Sequence, residues 1–222
     1  LDRELQVRGG RHDRRAFQDH FLHPETTLAD FASARYREEG DFIDKPYRFA
    51  GQKSAQKKVT LTLEREGCLE RNNEKIPLFL EKRYTIGADA GIQTEYFIRC
   101  GDGPTAETIF AVELNLTLLA GDARDQYYEV PGKTLDDRRM NSEGVLNLVS
   151  SVRLVDEWTR MVIVIDLEPE ADLWRFPIET VSQSEAGFER MYQGSCLLAV
   201  WPLKMNAGDR RERRLNLRVE SL

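Results

Sequence analysis

Hydrophobic and polar residues alternate with a period of two along most of the chain from residue 58 onward. Val59, Leu61 and Leu63 are separated by polar residues, which is typical of a strand with one buried face. The same pattern, bounded by turn residues, predicts further strands. They are expected at 77–86, 92–99, 108–119, 145–155, 160–167, 172–183, 188–205 and 213–220.

Short clusters of glycine, aspartate and proline separate these segments, for example at 101–104 and 207–209. No amphipathic helical pattern lies between the predicted strands. Regular strands joined by such turns indicate an all-β protein, built as a large antiparallel β-sandwich. A polar stretch from 120 to 144, which contains Pro131 and Gly132, predicts one long loop.

Residues 1–57 follow a different pattern, with few alternations and all three histidines, His12, His20 and His23. Phe17 and Phe21 have the i, i+4 spacing of a helix, which predicts a short helix over 13–22. We therefore expect residues 1–57 to be an irregular lead-in, extended or partly helical, packed on a sandwich of residues 58–222. The chain begins without a methionine or an apolar signal segment, so a longer parent polypeptide is expected.

Composition narrows the functional classes. A chain of 222 residues with 41% hydrophobic and 32% charged residues is long enough to bury a core as one domain. Its longest apolar stretches, 161–165 and 196–201, are far shorter than a membrane span. The net charge of −6 argues against a nucleic-acid partner, and the arginines at 210–214 are expected on a solvated turn and strand edge. Three cysteines without CxxC spacing indicate the cytoplasm.

Motifs for catalysis and cofactor binding are missing. The sequence has no G-x-S-x-G nucleophile turn and no phosphate-binding glycine loop. The acidic and histidine residues at 12–23, and Asp41 with Asp44, have no zinc or calcium spacing, and hydrogen-bonded turns are the favoured interpretation. We expect no catalytic residue, no metal and no cofactor, although calcium held by loop carboxylates and carbonyls would follow no recognisable pattern.

The segment 172–202 combines aromatic side chains with carboxylates and amides. Aromatic faces cover the C–H surfaces of sugars and polar groups bond their hydroxyls, whereas alternating aromatics in a strand are more often core residues. Two of the three glutamates Glu179, Glu185 and Glu189 could in principle form the carboxylate pair of a glycosidase. The loop at 186–187 separates them and disfavours such a pair. The predicted carbohydrate-binding residues are Trp174, Glu179, Gln183, Glu185 and Tyr192.

Several blocks of sequence together resemble the carboxy-terminal domain of family-57 glycoside hydrolases, the group with 4-α-glucanotransferases and related α-amylases. They are FQDHFL at 17–22, GDFIDKPY at 40–47, FAVELNL at 110–116, WRFPIETVSQSE at 174–185, YQGS at 192–195 and WPL at 201–203.

The resemblance implies a galactose-mutarotase-like β-sandwich that follows a catalytic (β/α)-barrel. The catalytic carboxylates of the family lie in barrel motifs that are missing here. The expected function is therefore a non-catalytic module that supports the barrel and contacts glucan. Its expected partners are the catalytic barrel of the same polypeptide and an α-glucan or maltooligosaccharide, with no nucleic acid or membrane. The lead-in with Phe17, Phe21 and Phe31 is expected to form the contact with the barrel.

The alternative is a stand-alone mutarotase-like sugar epimerase or a carbohydrate-binding protein. An epimerase of this type needs a histidine acid and a glutamate base on a concave sheet. All histidines lie within the first 23 residues, outside the predicted sheets, which disfavours this alternative. The sequence leaves open whether the parent hydrolyses or transfers glucans.

Overall fold

The computed structural model describes residues 15–43, 45–55, 57–71, 73–87, 91–118, 120–184 and 187–222, with the backbone alone at 183, 184 and 187. Strands are the dominant secondary structure of these residues and α1 is the one α-helix among them, which confirms the all-β prediction. No helix in this part of the chain is long and apolar enough to cross a membrane. The elements are β1 (Gln18–Leu22), α1 (Leu28–Ala32), β2 (Arg48–Ala55), β3 (Lys58–Arg71), β4 (Glu74–Gly87), β5 (Gly91–Cys100), β6 (Ala106–Leu116), β7 (Gln126–Glu129), β8 (Gly144–Asp156), β9 (Met161–Ser184), β10 (Gly187–Met205) and β11 (Arg210–Ser221).

Neighbouring strands pair antiparallel in the order β1-β6-β10-β9-β11-β5-β4-β3-β2, and β8 pairs with both β7 and β9. Strand β9 links two layers, because its residues 161–168 pair with β11 whereas 172–184 pair with β10. We call β2, β3, β4, β5, β11 and the first part of β9 the large sheet. The small sheet is β1, β6, β10, the second part of β9 and residues 144–146 of β8.

The two sheets pack face to face around the main core. Tyr96 of the large sheet meets Phe110 of the small sheet with ring centroids 5.5 Å apart, and Trp201 stacks on Phe110 at 5.9 Å. Leu80 and Val112 are fully buried in the same cluster. The faces that meet here are called the inner faces, and their contact makes the fold a sandwich.

A second apolar cluster covers the outer face of the small sheet. It includes Trp174 and Phe176 of β9 together with Phe31 of helix α1 and Tyr36. Thr27 caps the helix, because its hydroxyl accepts a hydrogen bond from the Asp30 amide and the Asp30 carboxylate accepts one from the Thr27 amide. This capping box lets a five-residue helix persist and bury Phe31 against the sheet.

The strands predicted from residue 58 onward are confirmed in position, with two differences, and the lead-in expected to be irregular also contains strand β2, which pairs with β3. The segments predicted at 160–167 and 172–183 are one continuous strand, β9. The stretch 120–144, predicted as a loop, contains the short strand β7, which pairs with the end of β8.

The helix predicted over 13–22 is wrong where the structure describes it, because residues 18–22 form strand β1 paired with β6. Positions 17 and 21 lie on one side of a strand as well as on one side of a helix, so their spacing could not separate the two. Pairing with β6 decides the matter, since it places Phe21 in the main core and Leu22 in the second cluster.

The expected contact between the lead-in phenylalanines and a barrel is also wrong for two of the three residues. Phe21 and Phe31 are fully buried within this chain, and Phe17 is half-buried with its ring edge-on to Tyr84. Phe21 and Phe31 already pack within the sandwich and cannot supply an interface to another domain, whereas a contact by Phe17 stays a prediction.

Candidate functional site

Strands β9 and β10 continue beyond the small sheet as a two-stranded arm, defined here as residues 178–193. In the described residues, the register of the arm pairs Glu179 with Tyr192 and Val181 with Arg190. Opposite residues of an antiparallel pair share a face. Tyr192 packs against the main core, so this face of the arm continues the inner face of the small sheet.

The predicted carbohydrate-binding residues do not form one surface. Trp174 is only 7% exposed in the second cluster, on the opposite face from Tyr192. The Tyr192 hydroxyl lies 2.7 Å from Ser195 Oγ, and a Glu179 carboxylate oxygen lies 3.3 Å from an Arg190 guanidinium nitrogen.

Of the remaining two predicted residues, Gln183 is described only through its backbone, which pairs with Phe188, and Glu185 lies outside the described residues. The structure therefore brings Glu179 and Tyr192 together and separates Trp174 from them. A glucan contact by these five residues stays a prediction.

A groove of about 450 Å³ crosses the outer face of the large sheet. Two phenylalanine rings form part of its wall, and each lies beneath a guanidinium group, with Arg83 at 4.4 Å from the Phe97 centroid and Arg99 at 5.2 Å from that of Phe79. A smaller depression of about 290 Å³ shares Phe79. The groove is lined by Phe79, Glu81, Arg83, Phe97, Ile98, Arg99, Arg210, Arg211 and Glu212.

Charges in the groove are only partly neutralised. Glu81 pairs with Arg83 at 2.5 Å. Arg99 and Arg210 stand directly opposite each other on β5 and β11, and no ion pair holds either one within the described part of the chain. Two like charges at such a position are unfavourable by themselves, so these guanidinium groups are available to hydrogen-bond a polar ligand.

Sequence reasoning missed this groove. The arginines at 210–214 were expected on a solvated turn and strand edge, and Phe79 and Phe97 lie within predicted strands. The alternation within the strands could have revealed the groove. Both phenylalanines fall on the solvent-facing positions of strands whose alternate positions are buried. An aromatic residue at such a position is a sign of a contact surface.

His20 is on strand β1, so the expectation that every histidine lies outside the sheets is wrong. Its ring is fully buried between two carboxylates, with Glu38 at 2.8 Å and Glu113 at 2.9 Å. Burial alone lowers the pKa of His20, but the charges and hydrogen bonds of Glu38 and Glu113 raise it to about 9. A buried, doubly paired imidazolium has no access to a sugar.

A second buried ion pair joins the two sheets. The Lys82 ammonium of β4 donates to Asp19 of β1 at 2.8 Å and to the carbonyl of Phe17 at 2.8 Å. The Tyr47 hydroxyl donates to the same carboxylate at 2.5 Å. Burial lowers the pKa of Lys82, but the charges of Asp19 and Tyr84 and the hydrogen bonds to both together outweigh burial, so the net shift is upward. The Lys82 ammonium is therefore held charged inside the sandwich.

The acidic and histidine residues considered as metal ligands serve other contacts where they are described. Asp41 accepts hydrogen bonds from the Cys68 amide at 3.0 Å and from Arg65 at 2.8 Å, as expected for a hydrogen-bonded turn. Across the described ranges, no group of three or more histidine, cysteine or acidic side chains is arranged to hold a metal ion. His12, Asp13 and Asp44 lie outside those ranges.

The architecture places the chain among the galactose-mutarotase-like sandwiches. A putative aldose 1-epimerase from Escherichia coli superposes with a TM-score of 0.58 over 94% of this chain and 81% of its own, at 10% sequence identity. At that identity the likeness concerns the fold alone.

Sequence comparison identifies the family. Residues 2–215 match the family model described as "Alpha-amylase/4-alpha-glucanotransferase, C-terminal", and the chain belongs to this family, as its resemblance to family-57 glycoside hydrolases predicted. The 4-α-glucanotransferase of Thermococcus kodakarensis is 29% identical over 193 residues, which are 87% of this chain and 24% of that protein. The 4-α-glucanotransferase of Thermococcus litoralis is 30% identical over 191 residues, which are 86% of this chain and 25% of that protein.

The crystal structure of the Thermococcus litoralis 4-α-glucanotransferase agrees with this assignment. It superposes with a TM-score of 0.71 over 98% of this chain and 30% of its own, at 25% identity. The chain thus spans about a quarter of the length of the relatives that it matches.

Proposed function

We propose that this chain is the non-catalytic carboxy-terminal module of an enzyme acting on α-glucans, either a 4-α-glucanotransferase or an α-amylase. One observation carries the proposal: almost the whole chain, residues 2–215, matches the carboxy-terminal domain of that family, while it spans only 24% to 25% of the named relatives. The module supports a catalytic domain on the same polypeptide.

A mutarotase-like activity is not supported by the arrangement of His20 and His23, the two histidines within the described residues. The acid in such an enzyme must reach the sugar ring oxygen, whereas His20 is enclosed by Glu38 and Glu113. His23 is near Glu25 and Glu39 at 4.0 Å, at the start of the connection to α1 and away from the groove. The similarity to epimerases therefore supports the fold and not their reaction.

Glucan contact is a second part of the proposal, and the groove on the large sheet is its best-supported location. It combines two phenylalanine rings, each beneath a guanidinium group, with further guanidinium and carboxylate groups in one concavity, and such polar groups can hydrogen-bond the hydroxyls of a sugar. Trp174, by comparison, is covered by α1 and its neighbours. An α-glucan would lie in the groove with its hydroxyls toward Arg99, Arg210 and Glu212.

The absence of catalysis is tested by incubating the pure 222-residue chain with maltooligosaccharides and amylose and separating the products by chromatography. We expect the chain-length distribution to stay unchanged, because the family's catalytic carboxylates are in another domain. A redistribution that persists after repurification of the chain would overturn the proposal.

Glucan contact is tested by electrophoresis of the chain in gels containing soluble amylose. We expect the sugar to retard the wild type, and Phe97→Ala or Arg99→Gln to reduce the retardation while circular dichroism stays unchanged. Glu179→Gln probes the arm predicted from the sequence. Loss of retardation in this variant alone would move the glucan site to the arm, and no retardation of the wild type would remove glucan contact from the proposal.

A further inference from the structure

An apolar stripe crosses the inner face of the large sheet at the end where β3 and β5 begin. Its members are paired residues on neighbouring strands. Val59 of β3 pairs with Ile86 of β4. Ile86 pairs with Ile92 of β5, which in turn pairs with Leu217 of β11. Directly opposite residues of antiparallel strands share a face. The stripe continues on the same face to Val219 and Met161, beside Ile163.

The stripe is the part of the inner face that the small sheet leaves open. Further along the same strands, Leu80 and Tyr96 are fully buried. In the stripe, Ile86 is 45% exposed, Val219 is 58% exposed and Met161 is 43% exposed. A row of aliphatic side chains across five strands is more than the scattered apolar residues of an ordinary surface, and such a patch marks a contact with another protein.

The position of the lead-in indicates what covers the stripe. The Phe17 ring lies edge-on to Tyr84 with centroids 5.7 Å apart, and Tyr84 is two residues from Ile86 on the same face of β4. Just before it, the Arg15 carbonyl accepts a hydrogen bond from Asn115 at 2.7 Å. Phe17 therefore lies beside the stripe, through its contact with Tyr84.

The family assignment supplies a partner of sufficient size. The matching family is a carboxy-terminal domain, and this chain covers 24% to 25% of the relatives. Most of such a polypeptide precedes the module. The stripe itself is aliphatic, so burial against another apolar surface is favourable, whereas it offers no hydrogen-bonding groups for a sugar.

We propose that the stripe of Val59, Ile86, Ile92, Leu217, Val219 and Met161 is the surface on which the preceding catalytic domain of the same polypeptide docks. The inference rests on the proposed function, and it replaces the lead-in phenylalanines with a specific face of the large sheet. The arm and the groove on the outer face lie outside this contact.

Two methionines allow a direct test with an internal control. Met161 belongs to the stripe, whereas Met191, which is 50% exposed, projects from the arm on the face opposite to Tyr192. Limited oxidation by hydrogen peroxide, read by mass spectrometry, reports the accessibility of each sulfur. In the 222-residue chain we expect both to oxidise at comparable rates. In the full-length polypeptide we expect Met161 to react several-fold more slowly and Met191 to be unchanged.

Substitutions test the same contact with a matched control. Val219→Asp and Ile86→Asp place a carboxylate in the stripe and should restore oxidation of Met161 in the full-length polypeptide. Val145→Asp is the control, because Val145 is 46% exposed on the outer face of the small sheet opposite Trp174. Each variant is first checked for an unchanged melting midpoint in the 222-residue chain, and Val219→Asp, the more exposed site, serves if Ile86→Asp unfolds.

Equal oxidation of Met161 in the two lengths of chain would overturn the docking proposal. Protection of Met161 that appears in the 222-residue chain as its concentration rises would assign the stripe to a second copy, and would overturn the proposed occupant. Activity of the full-length polypeptide on maltooligosaccharides is measured in parallel. An active enzyme with an accessible Met161 refutes the docking face alone, whereas an inactive polypeptide without a catalytic domain refutes the proposed function.

Discussion

At the scale of single residues, burial separates two aromatic side chains of the β9–β10 hairpin. Trp174 is 7% exposed and packs in the second cluster, whereas Phe188 in the arm is 60% exposed. Removing a buried aromatic ring loses its transfer free energy and leaves a cavity. An exposed ring has little to lose.

We expect Trp174→Ala to lower the free energy of unfolding by roughly 3 to 5 kcal/mol, and Phe188→Ala to change it by no more than about 0.5 kcal/mol. Urea denaturation followed by circular dichroism measures both. Similar small effects in the two variants would place Trp174 at the surface and would revive it as a sugar-stacking residue.

The buried His20 makes stability depend on pH. Its pKa is raised from an ordinary 6.5 to about 9, so the folded protein keeps a proton that the unfolded chain releases between these values. The stabilisation that protonated His20 adds to the free energy of unfolding is complete below pH 6.5 and is lost as the pH rises through 9. The expected loss is about 3 kcal/mol.

Urea unfolding at about pH 6 and pH 9.5 measures this loss in the wild type. His20→Gln is expected to be less stable at about pH 6, because Glu38 and Glu113 lose their cation, and to show a smaller decline between the two pH values. The wild type and the variant contain the same lysines and tyrosines, so the titration of those residues cancels when the two declines are compared. An equal decline in the variant would mean that His20 is not the group responsible.

At the scale of secondary-structure elements, helix α1 is stabilised by its N-terminal cap and by the packing of Phe31 against the small sheet. It has only five residues, fewer than an isolated helix needs. The Thr27–Asp30 capping box satisfies amides at its start, and Phe31 contacts the cluster around Phe176. The helix in turn covers the outer face of the small sheet, which would otherwise expose Trp174.

Thr27→Ala removes the capping hydroxyl and is expected to cost about 1 kcal/mol in the free energy of unfolding. Thr134→Ala is the control, since Thr134 is exposed in the loop before β8, and it should stay within about 0.5 kcal/mol of the wild type. Equal stability of the two variants would show that the packing of Phe31 and Ala32 alone holds the helix.

At the scale of the whole molecule, the Asp19–Lys82 pair joins the two sheets across the core. The partners are 63 residues apart in sequence and both are nearly inaccessible to solvent. A buried pair contributes little compared with apolar residues, but removal of one partner leaves an uncompensated charge. The pair therefore joins strand β1 of the lead-in directly to strand β4 of the large sheet.

Lys82→Met is expected to destabilise the fold by roughly 3 to 5 kcal/mol, because Asp19 then remains buried with only the Tyr47 hydroxyl as donor. Combining it with Asp19→Asn should cost less than the sum of the two single changes, since no buried charge is left. Additive losses in a double-mutant cycle measured by urea denaturation would show that the pair is not coupled.

The sequence was sufficient for much of the fold. Strands β4, β5, β6, β8, β10 and β11 fall close to their predicted positions, because alternation of apolar and polar residues is a local property of the chain. The sequence also showed that catalytic motifs are missing and that the chain resembles family-57 glycoside hydrolases. The family match confirms this resemblance.

Only the tertiary structure decided which surface each side chain faces. Alternation assigns Trp174 and Leu173 to opposite sides of β9, but it does not say that α1 covers one of those sides. His20 meets Glu113 across 93 residues of sequence, and the groove beneath Arg99 and Arg210 forms where β5 pairs with β11. The physical reason is common to all three: a strand pattern fixes the side on which a residue projects, whereas burial, pairing and charge depend on which distant segment packs against that side.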